Sequence, residues 1–273
     1  MAKNHFEPHR LEDGSYTIRD LRTDELMHSE VGLLAEAEGV FIGPSNLRER
    51  LDQAGEPLIV YDIGMGIAAN AVASFRAAET VKKKRALEIY SFESDLDGIR
   101  LALDRFKEGE FSHFSGYEKA IETLLEKGVC IEESFTWKLK EGDFRENLSC
   151  VPAPDLIFFD LYCPQKHPDL WNCASFRLLF EKSTRPSQLF TYAAATSVRV
   201  ALMLAGFSVG YGGSTSMKRE TTVAATDPTL IKRPLDLRWL SRFQNSHKKW
   251  PNDAALPENA AQRIEARVLS TCQ

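Results

Sequence analysis

The chain has no apolar run approaching the ~20 residues that a membrane-crossing helix requires. Its opening residues, MAKNHFEPHR, hold no hydrophobic segment of the secretory kind, so no export signal is expected there. Cysteine is scarce: Cys130, Cys150, Cys163, Cys173 and Cys272 are scattered, odd in number and form no CxxC pair. That usage suits reduced thiols in a cytoplasmic setting better than a disulfide framework. Cys163, His167 and Cys173 have a loosely metal-like spacing but lack a clear fourth ligand, so no metal is expected. An excess of positive charge is missing too. At a net charge of −5 the chain cannot coat nucleic acid by bulk electrostatics, which leaves only local basic patches. Lys82-Lys83-Lys84-Arg85 reads as a solvated run. Residues 229–250, TLIKRPLDLRWLSRFQNSHKKW, interleave Trp239, Phe243 and Trp250 with basic residues; these rings either stack on bases or pack on a core.

What is present is alternation. With 273 residues, 43% of them hydrophobic, the chain can bury a sizeable core. LIVYDIGMG reads as a buried strand meeting a glycine-spaced turn, and IAANAVASFRAAE follows at helical spacing. LEIYSFESD (87–95) is a second strand ending on an acid, and LDGIRLALDRF a second helix. Further strands are expected at FTWKLKEGD, LIFF (156–159), QLFTYAA, FSVGY and TTVAA, with helices at GYEKAIETLLEKG, ASFRLLFEKS and SVRVALMLAGF. Such a pattern predicts an α/β domain over residues 57–226, its mostly parallel sheet covered by helices on both faces. Residues 1–56 form an entrance segment packed on it, and 227–273 a partly basic C-terminal extension without strand pattern.

In open sheets of this kind, ligands bind beyond the carboxyl ends of the strands. The first strand delivers Asp62, Gly64 and Gly66; the second Glu93; the third Gly142 and Asp143; the fourth Asp160. Paired glycines let the backbone turn sharply and approach a ligand at a helix N-terminus. A nicotinamide dinucleotide asks for a third glycine, where this chain has Ala69 preceded by Ala68. S-adenosylmethionine has no pyrophosphate and less need of it. Its ribose would meet Glu93, its adenine amino group Asp143, and its amino-acid end the Gly64–Gly66 turn. That reading uses every strand end and is preferred.

The stretch DLIFFDLYCPQKHPDLW (155–171) then carries a resemblance. Asp160, Tyr162, Pro164, Lys166, Pro168, Asp169 and Trp171 resemble the Asp-x-Phe-x-Pro-x-Lys-x-Pro-Glu/Asp-x-Trp motif of the MnmD enzymes, equivalent to the methyltransferase half of bifunctional MnmC. Asp13-Gly14-Ser15, Met27-His28-Ser29, Gly32, Glu36 and Val40-Phe41-Ile42 are similar to the family's entrance motif. Val198-Arg199, Ala205-Gly206-Phe207 and Lys218-Arg219-Glu220 follow in the family's order. The family's GFGTGLN turn reads Gly64-Met65-Gly66-Ile67-Ala68-Ala69-Asn70 here, and Leu161-Tyr162 replaces a small residue and Phe. The resemblance implies a Rossmann-like fold with a seven-stranded sheet whose last strand is antiparallel. It implies S-adenosylmethionine as cofactor, held by Asp62, Gly64, Gly66, Asn70, Glu93, Gly142 and Asp143. The implied reaction methylates the aminomethyl group of 5-aminomethyl(-2-thio)uridine at the wobble position of the tRNA anticodon loop, with Asp160 as the catalytic carboxylate. The alternatives are a different amine or small-molecule acceptor on the same fold, or a non-catalytic tRNA-binding relative. His28, Ser29, Tyr162, Lys166, Lys218 and Arg219 would touch the RNA, Tyr162 by stacking on the extruded uracil. No membrane partner and no fused oxidase domain are expected.

Overall fold

The computed structural model describes residues 5–28, 32–82, 85–214, 220–253 and 255–271. Three short strands open the chain as a separate antiparallel sheet: β1 (Phe6–Arg10), β2 (Tyr16–Asp20) and β3 (Glu25–Leu26). The helix α1 (Leu33–Ala37) runs directly into a turn of π-helix, Glu38–Ile42, and α2 (Leu47–Leu51) follows. The main sheet starts with β4 (Leu58–Ile63), leading into α3 (Ala69–Glu79), then β5 (Leu87–Glu93) and α4 (Asp97–Phe106). Next come α5 (Glu118–Lys127), β6 (Val129–Ile131), β7 (Phe135–Glu141), α6 (Phe144–Asn147) and β8 (Leu156–Phe159). The remainder is α7 (Cys173–Lys182), β9 (Gln188–Thr191), α8 (Thr196–Ala205), β10 (Ser208–Tyr211), β11 (Thr222–Ala225), α9 (Leu237–Asn245) and α10 (Ala260–Ser270).

The sheet order is β10-β11-β9-β8-β4-β5-β7-β6. β7, β5, β4, β8 and β9 run parallel; β11 and β6 are antiparallel to their neighbours. The expected seven-stranded sheet is therefore present with one strand more. That strand, β6, is three residues between the left-handed Gly128 and a run of acids, too short to show a period of two.

Each central strand is buried on both faces, as parallel strands under helices must be. Successive side chains of β4 point to opposite layers. Leu58 and Val60 join α1 to α5 in one core, whereas Ile59, Tyr61 and Ile63 join α7 to α10 in the other. Trp239 and Phe243 of α9 are fully buried and stacked on each other in the second layer, so these two rings pack on the core. Trp250 stays partly exposed, edge-on to Phe243. The strand order reverses between β4 and β8, which opens a crevice at their carboxyl ends.

Candidate functional site

Gly64 (φ +87) turns the chain out of β4. A Cβ there would lie 2.6 Å from the carbonyl oxygen of Asp160, so the turn meets the end of β8 only because the residue is glycine. The Gly64 and Met65 N–H groups both donate to the Phe92 carbonyl, at 3.0 and 3.2 Å. Gly66 (φ +52) donates its N–H to Oε2 of Glu93 at 2.9 Å. Ala68, buried, adopts φ 59 and ψ 22, the left-handed conformation that costs an L-residue roughly 1–2 kcal/mol. The chain thus keeps, with an alanine, a backbone shape that suits glycine.

Glu93 ends β5 with its other oxygen, Oε1, accepting from the N–H groups of Ser94 and Asp95. Burial pushes its carboxyl above the usual range, while these backbone bonds pull the other way. Asp160 follows β8, its N–H bonded to the Ile63 carbonyl and its Oδ2 accepting from Asn70 Nδ2 at 2.9 Å. Two strand ends and the first turn of α3 are hydrogen-bonded into one frame.

That frame forms one wall of a cavity of about 670 Å³, within the roughly 300–1,000 Å³ of small-molecule sites. Gly64, Gly66, Glu93, Asp160, Tyr162 and His28 all face it. Other residues expected there stand elsewhere. Asp62 is buried beneath the turn, accepting from the Ser91 hydroxyl, and burial pushes its carboxyl up to about 6. Asn70 reaches the site only through Asp160. Gly142 bonds the Glu93 carbonyl through its N–H, and Asp143 caps α6 and is gripped by the Arg145 guanidinium, which holds its carboxyl below the usual range. Neither lines the cavity, because the capping role turns Asp143 toward its own helix. Lys166 donates to the Thr23 carbonyl at 2.6 Å, tying its loop to the N-terminal segment. Ser29, Lys218 and Arg219 lie outside the described residues.

Of the opposite wall only Met27 and His28, both in the entrance motif, were legible in the sequence. Thr23, Glu25 and Met27, with Asp20 and Arg22, reach the cavity from the small N-terminal sheet. His28 stands there half-buried against the Thr17 hydroxyl, and desolvation lowers its imidazole to about 4. Asp20, Arg22, Thr23 and Glu25 were hinted at only by their nearness to the entrance motif. The loop after Asp160 is pinned by Trp171, whose indole N–H donates to the Tyr162 carbonyl at 2.8 Å. Among the described residues no cluster of His, Cys, Asp and Glu could hold a metal ion, and no helix is long and apolar enough to cross a membrane.

Residues 115–227 match a family described as S-adenosyl-L-methionine-dependent methyltransferase. The parallel sheet, the switch-point cavity and this match define the class: the chain is an S-adenosyl-L-methionine-dependent methyltransferase. Within that class its curated relatives include MnmC proteins. It is 30% identical over 213 residues to the tRNA 5-methylaminomethyl-2-thiouridine biosynthesis bifunctional protein MnmC of Ralstonia nicotianae, covering 75% of this chain and 32% of that one. An uncharacterized protein of Methanocaldococcus jannaschii is 26% identical over 221 residues, 80% of this chain and 58% of that one. The chain therefore spans only part of the curated relatives it matches. The crystal structure of MNMC2 from Aquifex aeolicus shares the fold, with a TM-score of 0.73 at 23% identity over 98% of this chain and 84% of that one.

The cavity fits the cofactor. Gly66 leaves its Cβ direction open apart from Met27 Sδ at 3.7 Å, so a ligand can approach the turn closely. Glu93 supplies carboxylate oxygens at the wall beside it. The bound cofactor supplies an electrophilic methyl group on a sulfonium.

Proposed function

We propose that the chain methylates the primary amine of 5-aminomethyl-uridine at the tRNA wobble position. The observation that carries this reading is the cavity that the Gly64–Gly66 turn, Glu93, Asp160 and Tyr162 line together. Kinship with the MnmC proteins, whose name specifies 5-methylaminomethyl-2-thiouridine biosynthesis in tRNA, supports the acceptor. Glu93 accepts the ribose hydroxyls, and the glycine turn receives the amino-acid end at the start of α3. Asp160, oriented by Asn70, accepts an N–H of the neutral amine, aims the nitrogen lone pair at the methyl, and then takes up or passes on a proton. The side chain of Tyr162 bounds the acceptor end, where its ring stacks on the extruded uracil. Lys166, Lys218, Arg219 and Ser29 belong to the RNA-facing side of the same reading, in a cytoplasmic enzyme.

Undermodified tRNA incubated with the protein and the cofactor is expected to yield a singly methylated aminomethyl nucleoside on digestion and mass spectrometry. Asp160→Asn should lower kcat by roughly 10²-fold or more with cofactor affinity little changed. No methylated wobble nucleoside from the wild type would end this reading.

A further inference from the structure

The basic stretch 229–250 and the motif residues Arg199 and Glu220 take no part in the chemistry above, yet the fold gathers them at one place. Arg199 of α8 is fully buried. It donates to Thr222 Oγ1 at 3.0 Å, to the Thr221 carbonyl at 3.0 Å and to Glu220 Oε1 at 3.1 Å. Its guanidinium lies 5.2 Å from the centre of the Tyr211 ring, and that of Arg233 lies over the same ring at 5.8 Å. The Tyr211 hydroxyl donates to Asp236, the N-cap of α9, whose other oxygen accepts from Arg238 Nε at 3.1 Å. Arg242, one turn further along α9, donates to Glu220 Oε1 at 3.1 Å.

These contacts mount three arginines firmly at the surface. Trp239, Leu240 and Phe243 turn one face of α9 into the core, which leaves Arg238 and Arg242, four residues apart, on one solvent flank. Their side chains are 90% and 58% exposed, and Arg233 is exposed too. Among the described residues Arg238 commits only Nε and Arg242 only Nη1 to an acid, so most of each five-donor fork is open to a ligand. Exposed ion pairs of this kind add about 1 kcal/mol or less to folding, so stability gives little reason for them. Four arginines meet two carboxylates here, on a chain whose net charge is −5.

The position of the cluster indicates its partner. Glu220 lines a second groove of about 360 Å³ with Pro164, Gln165 and Ala194. Cys163 and Tyr192 line both this groove and the main cavity, so a path runs from Asp160 to the arginines. We infer that Arg233, Arg238 and Arg242 form a docking surface for the phosphate backbone of the RNA that carries the acceptor base. The inference rests on the proposed function for that acceptor and adds how the rest of the RNA is held. Guanidinium forks pair with phosphate oxygens and keep their charge at any working pH. Such contacts fix the register of the strand without reading its sequence.

The test uses the full chain with S-adenosylhomocysteine and a fluorescent anticodon stem-loop bearing 5-aminomethyluridine. Anisotropy measures binding over a range of salt concentrations for the wild type, Arg238→Gln, Arg242→Gln, the double variant, and Lys82→Gln as a control for bulk charge. Each lost phosphate contact should flatten the plot of log affinity against log salt by about 0.7–0.9. The double variant should therefore lose about 1.5 in slope, while Lys82→Gln, the affinity for S-adenosylhomocysteine and the thermal midpoint stay as in the wild type. Slopes in the arginine variants equal to those of the wild type or of Lys82→Gln would overturn the docking surface, as would failure of the wild type to bind the stem-loop. The methyl donor then replaces S-adenosylhomocysteine. The expected slopes without methyl transfer would overturn the proposed reaction and leave the surface standing; methyl transfer with unaltered slopes would do the reverse.

Discussion

Glu93 does two jobs with one carboxylate. It accepts N–H groups from Gly66, Ser94 and Asp95, which shape the turn, and it presents the same oxygens to the cavity. Hydrogen bonds to a charged group contribute about 1.5–3 kcal/mol each, so two ribose hydroxyls would account for roughly 10²- to 10⁴-fold in affinity. Glu93→Ala is expected to weaken S-adenosylmethionine binding by a factor in that range in titration calorimetry, with Glu93→Gln in between. Unchanged affinity in the alanine variant would remove Glu93 from the cofactor site. Asp143, also an acid at a strand end, illustrates the limit of reading residues one by one. Its place two residues past β7 looked like that of Glu93 at the end of β5, yet Arg145 two positions on claims both its oxygens.

Among the elements, the contact that matters most joins the β4 turn to the end of β8. A Cβ on Gly64 would meet backbone atoms of Asp160 at 2.6 and 2.9 Å, which no side-chain rotation relieves. Gly64→Ala should therefore cost about 2–4 kcal/mol, the sum of left-handed strain and overpacking, measured by urea denaturation. It should also displace Asp160 and depress turnover further than the lost stability explains. Gly66→Ala has only Met27 Sδ nearby and should be milder in stability, by about 1–2 kcal/mol. Equal costs for the two variants would contradict this account of the turn. Ala68 belongs to the same argument: the left-handed turn survives replacement of a glycine because the surrounding core and the α3 N-terminus over-determine it.

For the whole molecule, burial of titratable groups sets the response to acid. Burial lowers His28 to about 4 and His113 to about 3, the latter despite its contact with the Ile67 carbonyl and helped by nearby His28 and Arg76. Below about pH 6.5 the unfolded chain takes up both imidazole protons while the folded chain does not, so stability falls with falling pH. Asp62 acts oppositely: raised to about 6, its buried carboxylate costs stability above that pH and releases the cost below it. Glu93, also pushed up by burial, acts with Asp62, so the two histidines set the falling limb between about pH 7 and 6, before Asp62 takes up its proton. The thermal midpoint should drop over that range, and His113→Gln, which retains a donor for Ile67, should make the drop shallower. An identical pH slope in this variant would show that His113 does not govern the acid limb.

The strand-helix rhythm, the switch-point glycines and the acids Glu93 and Asp160 were all determined by the sequence alone, because they are local: periodicity, turn chemistry and what ends a strand. The pairing of those two carboxylates with one turn follows from the parallel order of β5, β4 and β8, which alternation implies. Tertiary structure alone decided the rest of the opposite wall. Thr23 and Glu25 sit more than a hundred residues before Tyr162 and His167, in a short separate sheet with almost no periodic signal. Their meeting depends on how that sheet docks over the crevice, and a side chain's role as anchor, cap or cavity wall is set by which partner reaches it first in three dimensions.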